Sequence, residues 1–167
     1  MLIERVWAMP NHRTFQIKPI KKLINQERVH GVTIEPFPFQ SKIDCLEFLA
    51  KFPNESADFG LIDPPYSKGQ VLEHYKDSCI TVKGWHSSPQ WASKVKREVA
   101  RVIKLGGKTI IFGWNTSGIG KKNGFEITRI LLVCHGAEHY DTLCVVEQKV
   151  IQSLDNFTFS SQEEKTK

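Results

Sequence analysis

The stretch "ADFGLIDPPYS", residues 57–67, begins as an apolar run and ends at an aspartate followed by two prolines. Residues 57–63 are apolar enough to form a strand inside a sheet. Proline has a fixed φ and no amide hydrogen, so the strand cannot continue past Asp63. Because ligands bind outside the carboxyl ends of the strands in an open parallel sheet, we expect Asp63 to lie at a ligand-binding edge.

The segment after this strand presents two hydrogen-bond acceptors and no donor, namely the Asp63 carboxylate and the Pro64 carbonyl. Such a pair suits a ligand group with two N–H bonds, an exocyclic amine. Accepting both hydrogens would draw the nitrogen lone pair out of conjugation and aim it at an electrophile held in line. Tyr66 could stack on the ring that carries the amine. A proline-stiffened turn at a sheet edge is the alternative interpretation.

The rest of the chain alternates short apolar runs with amphipathic stretches, a pattern typical of an α/β fold. On the N-terminal side, the sequence predicts a helix at 18–28 with Ile20, Leu23 and Ile24 on one face, a strand at 31–36, and a helix at 44–53 capped by Asp44. On the C-terminal side, it predicts a helix from Ser88 that stops at Gly106-Gly107, with a core stripe of Trp91, Val95 and Val99, then a strand at 108–114 and a hairpin at 125–150.

Length and composition indicate one domain over residues 1–151 and a polar, disordered tail at 152–167. The chain has 167 residues, a formal charge of +5 and a pI near 9.0, which is consistent with a polyanionic partner. No run approaches the ~20 apolar residues of a membrane span, and no signal-peptide pattern opens the sequence, so we expect a cytoplasmic protein.

The four cysteines are widely spaced, which is typical of buried thiols in a reducing compartment. Cysteine and histidine also cluster between 134 and 144, but their spacing fits no established zinc pattern. We therefore expect a turn between two strands there and no metal site. The cluster comprises Cys134, His135, His139 and Cys144.

The segment "IDPPYS" (62–67) resembles motif IV of the amino-group DNA methyltransferases, in which D-P-P-Y marks mainly the enzymes that methylate adenine at N6. Three further stretches are similar to family motifs in the same order along the chain. They are "TFQIKPIKKL" (14–23), similar to motif X, "VTIEPF" (32–37), similar to motif I, and "DCLEFL" (44–49), similar to motif III. The passage "LGGKTIIFGWN" (105–115) also matches. The overall likeness is to small adenine methyltransferases of phages and mobile elements.

This resemblance implies a Rossmann-like fold that binds S-adenosylmethionine (SAM), with a mostly parallel sheet, a C-terminal antiparallel hairpin and a shortened N-terminal half. It implies transfer of a methyl group to an adenine flipped out of double-stranded DNA, without a covalent enzyme intermediate. Asp63 and Pro64 would hold the amine, Pro65 would fix the loop and Tyr66 would stack on the base. The implied cofactor-binding residues are Ile17, Lys18, Glu35, Pro36, Phe37, Asp44 and Asp63.

Motif I departs from the family pattern in two ways. The segment "EPFPFQSK" (35–42) has no glycine, and Pro38 removes a backbone donor that could approach the cofactor. Only six residues separate Phe37 from Asp44, whereas a parallel crossover needs about a dozen or more. We therefore expect the family's second strand to be missing, and SAM affinity to be weak or absent in the isolated chain.

Residues 67–87 are too few for a separate target-recognition domain. They form either a solvated loop or a surface that touches phosphates and a base. Specificity would then be short, absent, or supplied by a second copy of the chain or by a specificity partner. The candidate DNA-binding residues in this segment are Lys68, His74, Lys76, Lys83 and Trp85.

Three alternatives to DNA adenine methylation stay open at this point. The first is a DNA-binding descendant of the same fold that has lost its cofactor loop and its catalysis. The second is a methyltransferase that acts on RNA or on a protein amide, since the two acceptors suit any exocyclic amine. The third is a small interaction module in which D-P-P-Y is only a turn.

Overall fold

The computed structural model describes residues 1–37, 43–65, 67–75, 88–136 and 139–151, without the side chains of Lys68 and His74. Within these ranges, six strands form one sheet: β1 Leu2–Trp7, β2 Thr33–Ile34, β3 Ala57–Ile62, β4 Ile103–Gly113, β5 Phe125–Cys134 and β6 Thr142–Lys149. The helices are α1 Lys18–Glu27, α2 Cys45–Ala50, α3 Lys68–His74 and α4 Pro89–Val102.

The strand order is β1-β5-β6-β4-β3-β2. The pairs β1–β5, β2–β3 and β3–β4 are parallel, whereas β6 runs antiparallel to both β4 and β5. The α/β class and the C-terminal antiparallel hairpin are therefore confirmed. In the described part of the chain β1 and β2 are the edge strands of the sheet, and α2 lies between β2 and β3 in sequence. This β2–α2–β3 unit is Rossmann-like and leaves the N-terminal half short, as predicted.

The two faces of the sheet bury separate apolar clusters because side chains alternate along each strand. Ile110 and Phe112 of β4 point to the face that α1 covers, where Ile20 and Leu23 meet them. Ile111 points to the opposite face, which α2 and α4 cover. The result is a three-layer sandwich, and the predicted inner face of α1 is confirmed.

Helix α4 begins as predicted but ends earlier. The Ser88 hydroxyl caps it by accepting from the Trp91 amide at 3.2 Å. The helix stops at Val102 instead of Gly106-Gly107, because its last carbonyls find partners elsewhere: the Ser56 amide donates to the Val102 carbonyl and the Lys149 ammonium to the Ala100 carbonyl, both at 2.9 Å. The chain then continues as β4, which starts before the predicted residue 108.

Three other elements differ from expectation. Strand β2 covers only two residues of the predicted 31–36. Before it, the Val32 amide donates to the Asp58 carboxylate and the Val32 carbonyl accepts from the Asp58 amide. Strand β1 was not predicted; it is held on β5 by an ion pair between Glu4 and Arg129, with Nε–Oε2 at 2.6 Å. Helix α3, in the segment after the two prolines, was not predicted either.

Helix α2 and three of the cysteines agree with the predictions from sequence. The Asp44 cap is confirmed, since its carboxylate accepts from the Leu46 amide at 2.8 Å. Three cysteines, Cys45, Cys134 and Cys144, are buried free thiols, as predicted, while Cys79 and residues 152–167 lie outside the description. In these same ranges, the helices are too short or too polar to span a bilayer.

Candidate active site

The carboxyl ends of β2 and β3 lie side by side. The two strands are parallel, with Ile34 opposite Gly60, so Glu35 and Asp63 both leave the sheet at the same edge. A turn of 3-10 helix, Thr14–Gln16, covers this edge just before α1. Phe15 of that turn packs against Phe112 of β4, with ring centroids 5.0 Å apart. The 3-10 turn, the end of β2 and the end of β3 thus meet at the edge where the strand before Asp63 and the two prolines predicted a ligand.

Asp63 is the most strongly perturbed acid at this edge. Burial raises the pKa of its carboxyl to about 6, and the negative charge of Glu35 acts in the same direction. A hydrogen bond from the Thr14 side chain opposes both effects by favouring the charged form. Asp63 therefore changes its protonation state close to neutral pH.

Glu35 is half-buried, and burial raises the pKa of its carboxyl as well. Two carboxyl groups whose ionised forms are both disfavoured face the same corner of the molecule. A ligand that carries positive charge would stabilise both ionised forms. These two carboxyl groups fit the positively charged sulfonium of SAM, to which the sequence analysis had assigned both Glu35 and Asp63.

A cavity of about 210 Å³ opens on the other face of the same edge, between α4 and the end of β4. Pro64 and Pro65 form one side of it, whereas the Asp63 carboxylate points to the α1 face, toward Thr14. Apolar side chains make up most of the lining, and three polar side chains converge at one end. The apolar group includes Ile62, Trp91 and Val95, and the polar group is Lys96, Asn115 and Ser117.

Part of the cavity wall is a loop, residues 114–120, that follows β4; we call it the fold-back loop. A fully buried carboxylate, Glu147 of β6, accepts the backbone amides of Ile119 and Gly120, the latter at 3.0 Å. Gly118 has φ +51°, and a Cβ there would collide with the Glu147 carboxylate. The loop can therefore wrap this carboxylate because residue 118 is glycine.

Helix α4 holds the same loop from the other side. The Lys96 ammonium donates to the Ser117 hydroxyl at 3.0 Å, and the Ser117 amide donates to the Asn115 side chain at 2.9 Å. Burial lowers the pKa of Lys96, while the charge of Glu147 raises it. Burial also raises the pKa of Glu147, and its two amide bonds and Lys96 oppose that shift. The polar end of the cavity is thus fixed by three elements.

The other residues assigned to the cofactor lie in three different environments. Ile17 is buried in the core under α1, and Lys18 is exposed in the first turn of that helix. Phe37 is buried and meets Trp91 edge-on, with ring centroids 5.9 Å apart, and Pro36 beside it is buried too. Asp44 caps α2, so its position has a structural explanation independent of a cofactor.

Several predicted residues cannot be placed. Tyr66, Lys76, Lys83 and Trp85 lie outside the described residues, as does the glycine-free segment 38–42. The backbone of Lys68 begins α3, and its side chain is not described. The end of α3 brings Tyr75 against the start of α2, where burial, and after it the charges of the Cys45 thiol and of Asp44, raise the pKa of the Tyr75 hydroxyl.

Sequence reasoning missed the residues that form and hold the cavity. Glu147 carried a signal, because it is a charge inside the apolar run "TLCVVEQK". Thr14 stood at the start of the motif X segment but was given no role. Lys96, Asn115 and Ser117 carry no local signal, since a lysine on an amphipathic helix and polar residues in a loop are ordinary features.

Comparisons with known proteins give three likenesses. No protein-family model matches the chain. It is 32% identical over 73 residues to "Putative methylase YubD" of Escherichia coli (strain K12), covering 43% of this chain and 30% of that protein. A solved "Putative DNA Modification Methylase" from Thermus thermophilus is 20% identical over 75% of this chain and 56% of its own, with a TM-score of 0.46. The structure of that protein complexed with S-adenosyl-L-methionine is 17% identical to this chain, covers 74% of this chain and 55% of its own, and has a TM-score of 0.41. The chain thus spans under a third of the first protein and just over half of the second.

Proposed function

We propose that this chain is a SAM-dependent methyltransferase domain that modifies DNA at the exocyclic N6 amine of adenine. The observation that carries the proposal is the end of β3, where a buried parallel strand runs directly into Asp63, Pro64 and Pro65 beside a mostly apolar cavity. Clefts of this kind, with a few convergent polar groups and a perturbed carboxyl, are typical of substrate sites. The 32% identity with a protein named a methylase supports the same class.

The residues divide the reaction between two faces of the sheet edge. We place the exocyclic amine just past the end of β3, between the Asp63 carboxylate on the α1 side and the Pro64 carbonyl beside the cavity. These two groups would accept its hydrogens and direct its lone pair toward the α1 face. The ring of the adenine enters the cavity beside Pro65 and Trp91, where apolar walls exclude water. SAM, when bound, would supply an electrophilic methyl group, and its sulfur would leave as a neutral thioether when the bond to that methyl group breaks. The nitrogen that gains the methyl group would give up one proton, which Asp63 can hold because its pKa is about 6.

The cofactor is assigned to the α1 face of the same edge. Glu35 and Asp63 would hold the cationic sulfur of the cofactor there, and Thr14 orients the Asp63 carboxylate through its hydrogen bond. The adjacent aromatic ring of Phe15 lies on the same 3-10 turn. Double-stranded DNA is the proposed partner, in keeping with the net charge of +5.

The test is transfer of a tritiated methyl group from SAM to unmethylated DNA. We expect incorporation with the wild type, and a loss of at least about 100-fold in Asp63→Ala, the scale of removing one aligned hydrogen-bonding group from an active site. Glu126→Gln is the control, because Glu126 is exposed near the start of β5 and belongs to neither strand that ends at the site. It should retain transfer.

Two results would contradict the proposal. Folded wild type that incorporates no label would favour a non-catalytic DNA-binding domain. Incorporation into RNA or protein but not into DNA would move the substrate class. Digestion of the labelled DNA to nucleosides identifies the methylated base, and a label on cytosine would exclude adenine specificity.

A further inference from the structure

The polar end of the cavity has no role in the chemistry proposed for Asp63 and Pro64. Lys96, Asn115 and Ser117 form this end, and they line the same cavity as Pro64 and Pro65. A ring that enters the cavity with its amine at the prolines would present its other edges to the remaining lining residues. These three groups are therefore candidates for contact with the ring.

Lys96 is the charged group among the three polar side chains that line the cavity. It is half-buried in the second turn of α4, and its ammonium donates one hydrogen bond, to the Ser117 hydroxyl at 3.0 Å. An ammonium carries three N–H bonds. In the part of the chain that the structure describes, this leaves Lys96 two donors for a group inside the cavity.

The position of Lys96 is set by the elements around it. Ser117 belongs to the fold-back loop, which Glu147 holds through the amides of Ile119 and Gly120. Burial lowers the pKa of Lys96, and the negative charge of Glu147 opposes that shift. A donor held in this way costs little further ordering when a ligand arrives, and this is a property of residues that recognise substrates.

We propose that Lys96 is a specificity-determining residue, which donates a hydrogen bond to a ring nitrogen of the methyl-accepting base. The inference rests on the proposed function, because it assumes that the base occupies this cavity. Adenine offers N1, N3 and N7 as acceptors, and one of them would face Lys96 while the amine faces the prolines. A ring with carbon at that position would leave the ammonium without its partner in a desolvated site.

Deaza analogues test this pairing, since each replaces one ring nitrogen of adenine by C–H. We place 1-deaza-, 3-deaza- and 7-deazaadenine at the position that the wild type methylates, and measure kcat/KM for each duplex. One analogue should lose about 10- to 100-fold with the wild type, the range for a hydrogen bond to a charged group. The same analogue should lose little in Lys96→Met, where the partner is already absent.

Lys94→Met is the matched control, because Lys94 is exposed on the same helix. It should keep the wild-type response to all three analogues. If Lys96→Met shows the wild-type penalties as well, Lys96 only braces Ser117, and the inference is wrong while the proposed function stands. Thermal unfolding of both variants checks that they are folded.

A second measurement does not depend on methyl transfer. The 13Cε–15Nζ NMR signal of Lys96, assigned by its absence in Lys96→Arg, is followed on addition of adenosine and of the three deazaadenosines. We expect adenosine to shift this signal, and one analogue to shift it much less. An unchanged Lys96 signal at saturating adenosine would overturn the inference even if the protein methylates DNA. A shift without methylation would retain the binding site and reject the proposed function.

Discussion

At the carboxyl ends of β2 and β3, the face covered by α4 and the face covered by α1 are stabilised by different interactions. On the α4 face, the cavity is enclosed by long elements and by a loop whose amides bind the buried carboxylate of Glu147. On the α1 face, the segment that carries Glu35 follows a strand of two residues, and a single hydrogen bond from Thr14 holds Asp63 among the described contacts. The first side is thus formed by the fold alone. The second side is held by fewer side-chain hydrogen bonds among the described residues.

The largest expected effect tests the side with more contacts. Glu147→Ala removes a buried acceptor and leaves the amides of Ile119 and Gly120 without their partner, so the free energy of unfolding should fall by about 3 kcal/mol. Urea denaturation measures it. Glu126→Ala, on an exposed position of β5, should change it by less than about 0.5 kcal/mol. Equal losses in both variants would mean that Glu147 does not hold the loop.

The second prediction separates the close contact between Gly118 and Glu147 from the cost that a positive φ alone imposes on a residue with a Cβ. Gly118 and Gly106 both have positive φ, +51° and +78°, but a Cβ at Gly106 would meet no atom within 4 Å. Gly106→Ala should therefore cost about 1 kcal/mol from φ alone. Gly118→Ala should cost about 2 kcal/mol or more, because its Cβ also displaces the Glu147 carboxylate. Similar melting temperatures for the two variants would contradict the close contact.

The third prediction concerns the side with fewer contacts. Isothermal titration of the isolated chain with SAM should give a dissociation constant weaker than about 100 µM, or no heat, because segment 35–42 lacks the glycines that let backbone amides approach a cofactor. The titration is repeated with the DNA substrate present, where a smaller dissociation constant would indicate that SAM and DNA bind cooperatively. Low-micromolar binding by the chain alone would be incompatible with this difference between the two sides.

The smallest effect is a pair of opposite shifts in pH dependence. Methyl transfer should fall as the pH drops through about 6, where Asp63 gains a proton. Thr14→Val removes the hydrogen bond that lowers the pKa of Asp63, so the pH at which methyl transfer falls should move up. Glu35→Gln removes a charge that raises this pKa, so that pH should move down. The 13Cγ NMR titration of Asp63 reports the same shifts without catalysis. Shifts in the same direction would exclude this account.

The same raised pKa affects stability with a defined sign. The folded chain holds the Asp63 proton more tightly than the unfolded chain, whose pKa is near 3.8. The contribution of Asp63 to the free energy of unfolding therefore falls as the pH rises from about 4 to about 6. Asp63→Asn, which carries no charge, should lose this pH dependence, and urea midpoints at pH 4 and pH 7 measure the change.

Much of the fold was predictable because it depends on neighbours in sequence. The stripe Trp91, Val95 and Val99 lies at helical spacing and is buried as expected. The cap at Asp44 and the strand before Asp63 also follow from local patterns. The end of α4 was wrong, because Gly106-Gly107 is a common stop signal but the carbonyls of Ala100 and Val102 are satisfied by Lys149 and Ser56.

The candidate site was predictable only in part, for the same reason. The pairing of an acid with two prolines is a local feature, and it identified the edge on which Thr14, Glu35 and Asp63 meet. The predicted role of Asp44 near the cofactor stays a prediction, since its observed contact is with its own helix. The cavity was not predictable, because Lys96, Ser117 and Glu147 come together through contacts between separate elements.

Local patterns in this chain are enough to predict an α/β fold, the strand that ends at Asp63 and the two acceptors that follow it, the Asp63 carboxylate and the Pro64 carbonyl. Residue spacing and proline geometry act over only a few residues. Contacts between distant segments specify the rest. The amide of Ile119 donates to Glu147 across 28 positions of sequence, and the hydrogen bond between Thr14 and Asp63 spans α1, β2, α2 and β3. Only the packed sheet brings these groups within hydrogen-bond distance, and burial there perturbs the pKa values that the proposed chemistry requires.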